Sequence, residues 1–364
     1  MNLKSIFRQV PDPRGMQGRD YRLWSILGLI VVSLLCGRRG MRAAFFLGRG
    51  LNKRQCRALG FSNGKTPCHA TLTETLRVID AGTLADVLGA ACSVESSDPR
   101  HIGIDGKSMR ASKDGEGHAT HVLSAFCTGL QSLLATEASR GRGMEIPDAL
   151  KLLERLDLKG KIVTGDAMFC QKLIVAKIVE KGGDYIFPVK DNQKNMRENI
   201  QTAFNEPVFP LISFRSGHDK AHGRIERRLI DVLPAKAAGI EEDWPSVKHI
   251  CRVTRSRQVR KHGAWKPSEV EVVYLIASLR AADAAPEALL RVNRGHWGIE
   301  IMHRNKDVIL GEDGYTNRCD NAPCNIFQLL TFTLKILKSI PSSPTRAIEQ
   351  FQDDRSKALR LFTG

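Results

Sequence analysis

Hydrophobic positions recur with helical spacing over the first part of the chain. A continuous apolar run extends from Leu23 to Cys36, and it predicts a helix that is buried on all sides. The segments that follow carry apolar residues every three or four positions, which predicts further helices. We therefore predict a helical N-terminal domain over residues 1–95, with helices at 23–36, 41–49, 51–59 and 67–79.

After a polar segment at residues 93–100, which we interpret as a linker, the pattern changes to short apolar strands and amphipathic helices. We expect Gly106 to end the first strand, and the next two alternating segments predict an antiparallel meander. Two later strands enclose a helix at 171–180, and such a βαβ unit implies parallel strands. This part therefore predicts an α/β fold with a mixed sheet. The predicted strands are 101–105, 121–127, 131–138, 161–165 and 185–189.

The rest of the chain divides by composition into three parts. Residues from about 205 to 280 are typical of strands joined by charged loops. From residue 285 the apolar spacing is helical again. Residues 341–364 are first Ser/Pro-rich and then charged, which predicts a C-terminal tail or a peripheral helix. We expect one domain over 96–340.

The charge balance points to a polyanionic partner. Lys and Arg number 55 against 39 for Asp and Glu, a net charge of +16. Nucleic acid is the leading partner for such a surplus, although some basic proteins bind none. The Arg and Lys residues of the N-terminal helices fit either DNA contact or simple solvation.

Cysteine usage and the N-terminus indicate the compartment. Nine cysteines are scattered without a Cys-x-x-Cys pair, which favours reduced thiols over disulfides or a zinc ribbon. Charged residues precede the first apolar run, unlike a signal peptide, and that run of 14 residues is short for a bilayer span. We expect a cytoplasmic protein without a membrane anchor.

Three acidic residues lie where a protein metal site that acts on nucleic acid would need them. Asp105 and Asp166 each follow an apolar strand, and Glu300 lies on a later helix. The carboxyl edge of a parallel sheet is where ligands bind, and three carboxylates can hold two Mg²⁺ ions about 3.5–4 Å apart. Taken singly, each acid has an ordinary alternative: a hairpin turn at Asp105-Gly106, a helix cap at Asp166, or an Arg partner for Glu300.

At this point the order of the motifs resembles a known family. The sequence is similar to DDE-type bacterial insertion-sequence transposases, in the group that includes the H-repeat-associated proteins, over nearly the whole chain. The matching phrases are Asp12-Pro13-Arg14, Tyr21-Arg22-Leu23-Trp24, Ile104-Asp105-Gly106-Lys107, Val163-Thr164-Gly165-Asp166, Lys190-Asp191-Asn192-Gln193, His222-Gly223-Arg224-Ile225-Glu226, Arg294-Gly295-His296-Trp297-Gly298-Ile299-Glu300, Glu312-Asp313 and Asn321-Ala322-Pro323.

The resemblance implies an RNase H-like core with a β-rich insertion and an N-terminal transposase-associated domain. It also implies that Asp105, Asp166 and Glu300 are catalytic and hold two Mg²⁺ or Mn²⁺ ions. The implied reaction is DNA cleavage by water at the element ends, followed by attack of the freed 3′-hydroxyl on target DNA. The implied partners are both DNAs, bound by a homodimer or larger oligomer, in a bacterial cytoplasm at the nucleoid.

Six further residues are candidate DNA contacts, although several are equally typical of polar strand ends. They are Lys107, Arg110, Lys190, Gln193, Arg224 and His296.

This sequence departs from the wider family next to Glu300. The positions that hold Tyr, Arg and Lys in the family hold Asn293, His296 and Asp307 here. The resemblance therefore does not imply that the protein forms a DNA hairpin intermediate. Two alternatives for the site stay open: Glu312 as the third acid, and a mononuclear metal site of His296, Glu300 and His303. Two alternatives for function also stay open, a related nuclease without strand transfer and an inactive DNA-binding remnant.

Overall fold

The computed structural model describes residues 2–17, 19–91, 100–139, 143–221, 223–261, 264–268 and 270–363. The predicted linker lies, except for Arg100, outside the described residues, and so does His222. The α-helices are α1 (Leu3–Phe7), α2 (Leu23–Leu35), α3 (Met41–Arg49), α4 (Lys53–Ala58), α5 (His69–Val78), α6 (Ala81–Ala90), α7 (Glu145–Arg155), α8 (Lys172–Glu180), α9 (Lys194–Asn205), α10 (Pro286–Gly295), α11 (Trp297–Asn305), α12 (Ala322–Lys338), α13 (Pro344–Asp353) and α14 (Arg355–Thr363).

The strands form one mixed sheet with the order β3-β2-β1-β4-β5-β11-β9-β8-β6, while β10 pairs with β9 and β7 with β8. The strands are β1 (His101–Lys113), β2 (Ala119–Cys127), β3 (Ser132–Ser139), β4 (Ile162–Gly165), β5 (Asp184–Val189), β6 (Ile212–Arg215), β7 (Asp219–Ala221), β8 (Arg224–Pro234), β9 (His249–Lys261), β10 (Ala264–Pro267) and β11 (Glu271–Ala277).

The first five strands have the topology that the sequence pattern predicts. β2 and β3 pair antiparallel, whereas β1, β4 and β5 run parallel through a helical crossover. Ile104 of β1 is the register partner of Gly165 of β4, so Asp105 and Asp166 each directly follow a paired position. The mixed α/β fold, with its N-terminal helices and RNase H-like strand order, is confirmed.

The prediction that Gly106 ends the first strand is wrong. β1 continues through Gly106 as far as Lys113. A Cβ at position 106 would lie 2.3 Å from Cε1 of His121, so glycine is needed there for a close approach and not for a turn. The carboxylate of Asp105 therefore projects from the middle of a long strand.

The β-rich part between residues 205 and 280 extends the same sheet. β11 pairs antiparallel with β5, and the long strands β8 and β9 pair over 11 register positions. The charged residues of these strands pair across the sheet, as Arg252 does with Asp231 at 2.8 Å. The insertion is thus a continuation of the core sheet at its β5 edge.

One compact unit contains residues 1–98, 105–155 and 299–364. The apolar run in α2 is at its centre, because 12 of its 13 residues are buried. The apolar faces of α12, α13 and α14 belong to the same hydrophobic core, with Phe351 and Phe362 buried. The apolar run of α2 therefore serves as a core helix. Among the described residues, no helix has the length and apolar character that a bilayer span requires.

The other compact unit contains residues 99–104 and 156–298. Its core includes Ile186 of β5, Cys251 of β9 and Leu275 of β11, and Leu289 and Leu290 of α10 pack with them. The predicted domain boundaries remain predictions, because a division by packing does not test where a domain begins along the chain.

Candidate active site

Asp166 follows the last residue of β4 and stands before a 3₁₀ turn, Ala167–Phe169. Its side chain is exposed, and it makes no capping hydrogen bond to that turn within the described part of the chain. Tight packing explains the preceding glycine, because a Cβ on Gly165 would lie 2.9 Å from side-chain atoms of Ile104 and Phe169. The carboxylate of Asp166 is therefore held at the strand end and is not used as a helix cap.

A hydrogen-bonded chain of polar groups fixes His296. Nδ1 of His296 lies 3.1 Å from Oγ1 of Thr164, and the same hydroxyl lies 2.8 Å from Nε2 of His101. His101 and Thr164 are buried. Gly295 allows the approach, because a Cβ there would lie 2.8 Å from Nδ1 of His101. The imidazole of His296 is thus oriented by contacts on its Nδ1 side.

The other ring nitrogen of His296 has a different environment. Nε2 is buried and forms no hydrogen bond to any residue that the structure describes. Burial lowers the pKa of His296, although the charge of Asp166 acts to raise it. The half-buried ring is therefore best suited to act as a neutral imidazole, with Nε2 available to a ligand.

Asp166 and His296 could hold a metal ion together. Each offers one ligand atom, and the two atoms lie within 4.8 Å of each other. A carboxylate oxygen and an imidazole nitrogen are common ligands of divalent cations, so this pair of donors fits such an ion. The role of Glu300 as the third acid stays a prediction.

Asp105 has a histidine partner of its own. Its Oδ1 accepts a hydrogen bond from the backbone N–H of Gly106 at 2.8 Å, and its Oδ2 lies 3.5 Å from Nε2 of His303. His303 is buried, and its ring centroid lies 5.6 Å from that of Phe327. The ring of His303 is thus packed in place beside the carboxylate.

Ion pairs surround the Asp105 strand. Asp313 contacts both Lys107 at 3.0 Å and Arg110 at 3.2 Å. Nearby, Nζ of Lys306 lies 2.7 Å from Oε1 of Glu312, and both side chains are fully buried. Burial lowers the pKa of Lys306 to about 8, although the carboxylate of Glu312 acts to raise it. The carboxylate of Glu312, the alternative third acid, is therefore paired with Lys306.

The predicted DNA contacts have varied surroundings. Lys107 and Arg110 are ion-paired to Asp313, whereas Lys190 and Arg224 are exposed at strand ends. Gln193 donates through Nε2 to the carbonyl of Cys170 at 3.1 Å, next to the turn that follows Asp166. None of these contacts tests DNA binding, so the assignments stay predictions.

Sequence reasoning missed His101 and Thr164 and placed His303 elsewhere. His303 was a candidate ligand beside His296, but the structure places it against Asp105. Both missed residues lie inside apolar strands, His101 at the start of β1 and Thr164 next to the end of β4. A polar residue inside such a strand is the only signal that the sequence offered.

Comparison with known proteins identifies the family. The sequence profile described as "Transposase DDE domain" matches residues 96–313, and the profile described as "DDE_Tnp_1-associated" matches residues 4–90. The chain belongs to the DDE transposase family, as the resemblance of its motifs predicts.

Named relatives agree with that family. "H repeat-associated putative transposase YhhI" of Escherichia coli (strain K12) is 32% identical over 339 residues, which cover 88% of this chain and 87% of the relative. "H repeat-associated putative transposase YbfD" of the same strain is 33% identical over 243 residues, covering 63% of this chain and 94% of the relative.

Among solved structures, a piggyBac transposase synaptic complex with hairpin DNA aligns with 99% of this chain and 77% of its own. The TM-score is 0.40 and the identity 11%, a likeness that carries no argument about this chain.

Proposed function

We propose that this protein is a transposase that cleaves DNA at the ends of an insertion sequence and joins the freed ends to target DNA. The observation that carries the proposal is the pair of ligand atoms on Asp166 and His296 in a chain of the DDE transposase family. Asp105 is a further proposed ligand, because it directly follows Ile104, the register partner of Gly165. The net charge of +16 fits a DNA partner.

In this proposal, Asp105, Asp166 and Glu300 hold two divalent cations, Mg²⁺ or Mn²⁺. When bound, such ions supply Lewis acidity for the attacking and leaving oxygens of an in-line displacement at phosphorus. The chain's own residues orient the carboxylates: His303 lies against Asp105, and the buried strand β4 delivers Asp166. Lys107, Arg110, Lys190, Gln193, Arg224 and His296 are the proposed contacts to the DNA.

The proposed partners follow from the reaction. The protein would bind its own element ends and a target DNA, and pairing two ends calls for a homodimer or a larger oligomer. It would act in the bacterial cytoplasm, at the nucleoid when bound to DNA. The N-terminal domain, whose helices carry exposed Arg42, Lys53 and Arg54, is a further proposed DNA contact.

The test uses a supercoiled plasmid that carries the gene with its flanking DNA. We expect cleavage that requires Mg²⁺ and is lost in Asp105→Ala and Asp166→Ala, while both variants still bind the plasmid. Asp243→Ala is the matched control, because that aspartate is exposed and lies outside the proposed site. Retained cleavage in both site variants would refute the assignment.

A second plasmid separates the rival functions. Joined products between the cleaved ends and a target plasmid indicate a transposase. Cleavage without joining indicates a related nuclease, and binding without cleavage indicates an inactive remnant.

A further inference from the structure

We propose that His296 binds a divalent cation through Nε2 together with Asp166, so that the centre is a mixed nitrogen–oxygen site. Thr164 and His101 are its positioning residues. This inference rests on the proposed function and deepens it, because it assigns to His296 metal binding in place of a contact to DNA phosphate. The ligand class is a divalent ion that accepts imidazole nitrogen, with Mn²⁺ favoured relative to Mg²⁺.

The geometry of His296 leaves one nitrogen for an ion. Nδ1 is engaged by Oγ1 of Thr164 at 3.1 Å, while Nε2 is buried without a hydrogen bond to any described residue. A ligand atom of Asp166 lies within 4.8 Å of a ligand atom of His296. A buried nitrogen beside a carboxylate and without a proton partner is well placed to bind a cation.

The protons along this chain of groups can be counted. The hydroxyl of Thr164 carries one proton. It lies within hydrogen-bond distance of two ring nitrogens, Nε2 of His101 and Nδ1 of His296. If the hydroxyl donates to His101, then Nδ1–H of His296 donates to the hydroxyl oxygen, and Nε2 of His296 carries a lone pair. The opposite order places a proton on Nε2 of His296. Cation binding selects the first order, because a metal needs the lone pair.

The buried position of the relay supports a positioning role. His101 is 5% exposed and Thr164 is 2% exposed, so water does not compete freely for these hydrogen bonds. Gly295 keeps the ring of His101 close, since a Cβ there would lie 2.8 Å from Nδ1. Outer residues that donate to or accept from a ligating histidine commonly change metal affinity by 10- to 100-fold when mutated.

The rival role for His296 is a contact to DNA phosphate. That role requires a proton on Nε2 and would not place nitrogen in the coordination shell of the metal. The two roles therefore differ in one spectroscopic signature of the protein without DNA, the coupling of bound metal to nitrogen. Only metal binding by His296 produces this coupling; a contact to phosphate or a merely structural role does not.

The experiment uses the full-length protein without DNA and Mn²⁺ as the probe. Electron spin echo envelope modulation of bound Mn²⁺ should show coupling to ¹⁴N, and labelling the histidines with ¹⁵N should replace it with ¹⁵N coupling. Calorimetry should show Mn²⁺ affinity lowered by roughly 10-fold or more in His296→Ala, with a smaller loss for Mg²⁺. His218→Ala, which changes an exposed histidine of the same unit, should behave as the wild type.

Further variants test the relay. Thr164→Val should weaken Mn²⁺ binding and Thr164→Ser should restore it, because only serine keeps the hydroxyl. If His296→Ala does not fold, His296→Asn replaces it, and the ¹⁵N comparison in the wild type needs no variant.

Bound Mn²⁺ without nitrogen coupling, or coupling that persists in the His296 variant, overturns this inference and leaves the proposed function standing. A wild type that neither binds Mn²⁺ nor cleaves DNA overturns the proposed function itself.

Discussion

The surroundings of Asp105 and Asp166 differ, although both acids directly follow paired residues of neighbouring parallel strands. Asp105 lies beside a buried histidine, and its strand is held by the ion pairs of Lys107 and Arg110 with Asp313. Asp166 lies next to His296, which is held by a hydrogen-bonded chain of hydroxyl and imidazole groups. The strand that carries one acid is thus held by ion pairs, whereas the histidine beside the other acid is held by hydrogen bonds.

The difference teaches that strand topology places each acid directly after a paired strand residue, whereas separate local contacts surround each one. The histidines share an origin, because His296 and His303 lie seven residues apart where α10 passes into α11. If this view is right, the two acids should be equally necessary, while the contacts around them should fail in different ways.

The largest effect is expected from the acids themselves. Asp105→Asn and Asp166→Asn should each lower Mg²⁺-dependent cleavage by roughly 1,000-fold or more, because each removes a negatively charged ligand worth several kcal/mol. Cleavage of the plasmid over time measures this. A loss confined to one of the two variants would show that the two acids are not equally necessary for cleavage.

The buried ion pair of Lys306 and Glu312 should give the largest loss of folding stability. Lys306→Ala leaves Glu312 charged and fully buried, and removing one partner of such a pair costs about 3–5 kcal/mol. Urea unfolding of the two proteins measures the free energy of unfolding. The double variant Lys306→Met with Glu312→Leu is the control and should be much closer to the wild type. A single variant as stable as the double one would contradict a buried ion pair.

The histidine at Asp105 should have an intermediate effect. His303→Asn should lower cleavage by about 10- to 100-fold, because the ring that lies 3.5 Å from Oδ2 of Asp105 no longer orients the carboxylate. Mn²⁺ binding by calorimetry should weaken in parallel, while the unfolding midpoint changes little. His118→Asn, at an exposed histidine, serves as the control. Unchanged metal affinity in His303→Asn would remove this residue from the account.

The smallest effect is expected at Asp313. Asp313→Asn should cost about 1 kcal/mol of folding free energy, because its partners are partly solvated and surface ion pairs contribute little. Urea unfolding of this variant against Lys306→Ala tests the ranking. A loss as large as that of Lys306→Ala would mean that the Asp313 contacts, and not the buried pair, hold the strand.

Local pattern was sufficient for most of the fold. The apolar run at α2, the strands β2 and β3 and the crossover from β4 to β5 follow from spacing alone, because each element buries one face or all of its faces. The family motifs pointed to Asp166 and His296, and the structure places their ligand atoms within 4.8 Å of each other.

Contacts distant in sequence explain what the pattern could not give. Gly106 is typical of a turn, but in the fold it admits the ring of His121 within a continuing strand. Lys306 has the sequence signature of a solvated charge, yet it is fully buried because Glu312 follows six residues later. The role of His303 depends on Asp105, which lies almost two hundred residues away in the sequence. No local rule predicts such pairings.

The most direct test of the account is a crystal structure of the protein grown with Mn²⁺, examined by anomalous scattering. We expect Mn²⁺ density bound by the carboxylates of Asp105, Asp166 and Glu300. Density away from these three carboxylates and His296, or three carboxylates that share no ion, would contradict the account.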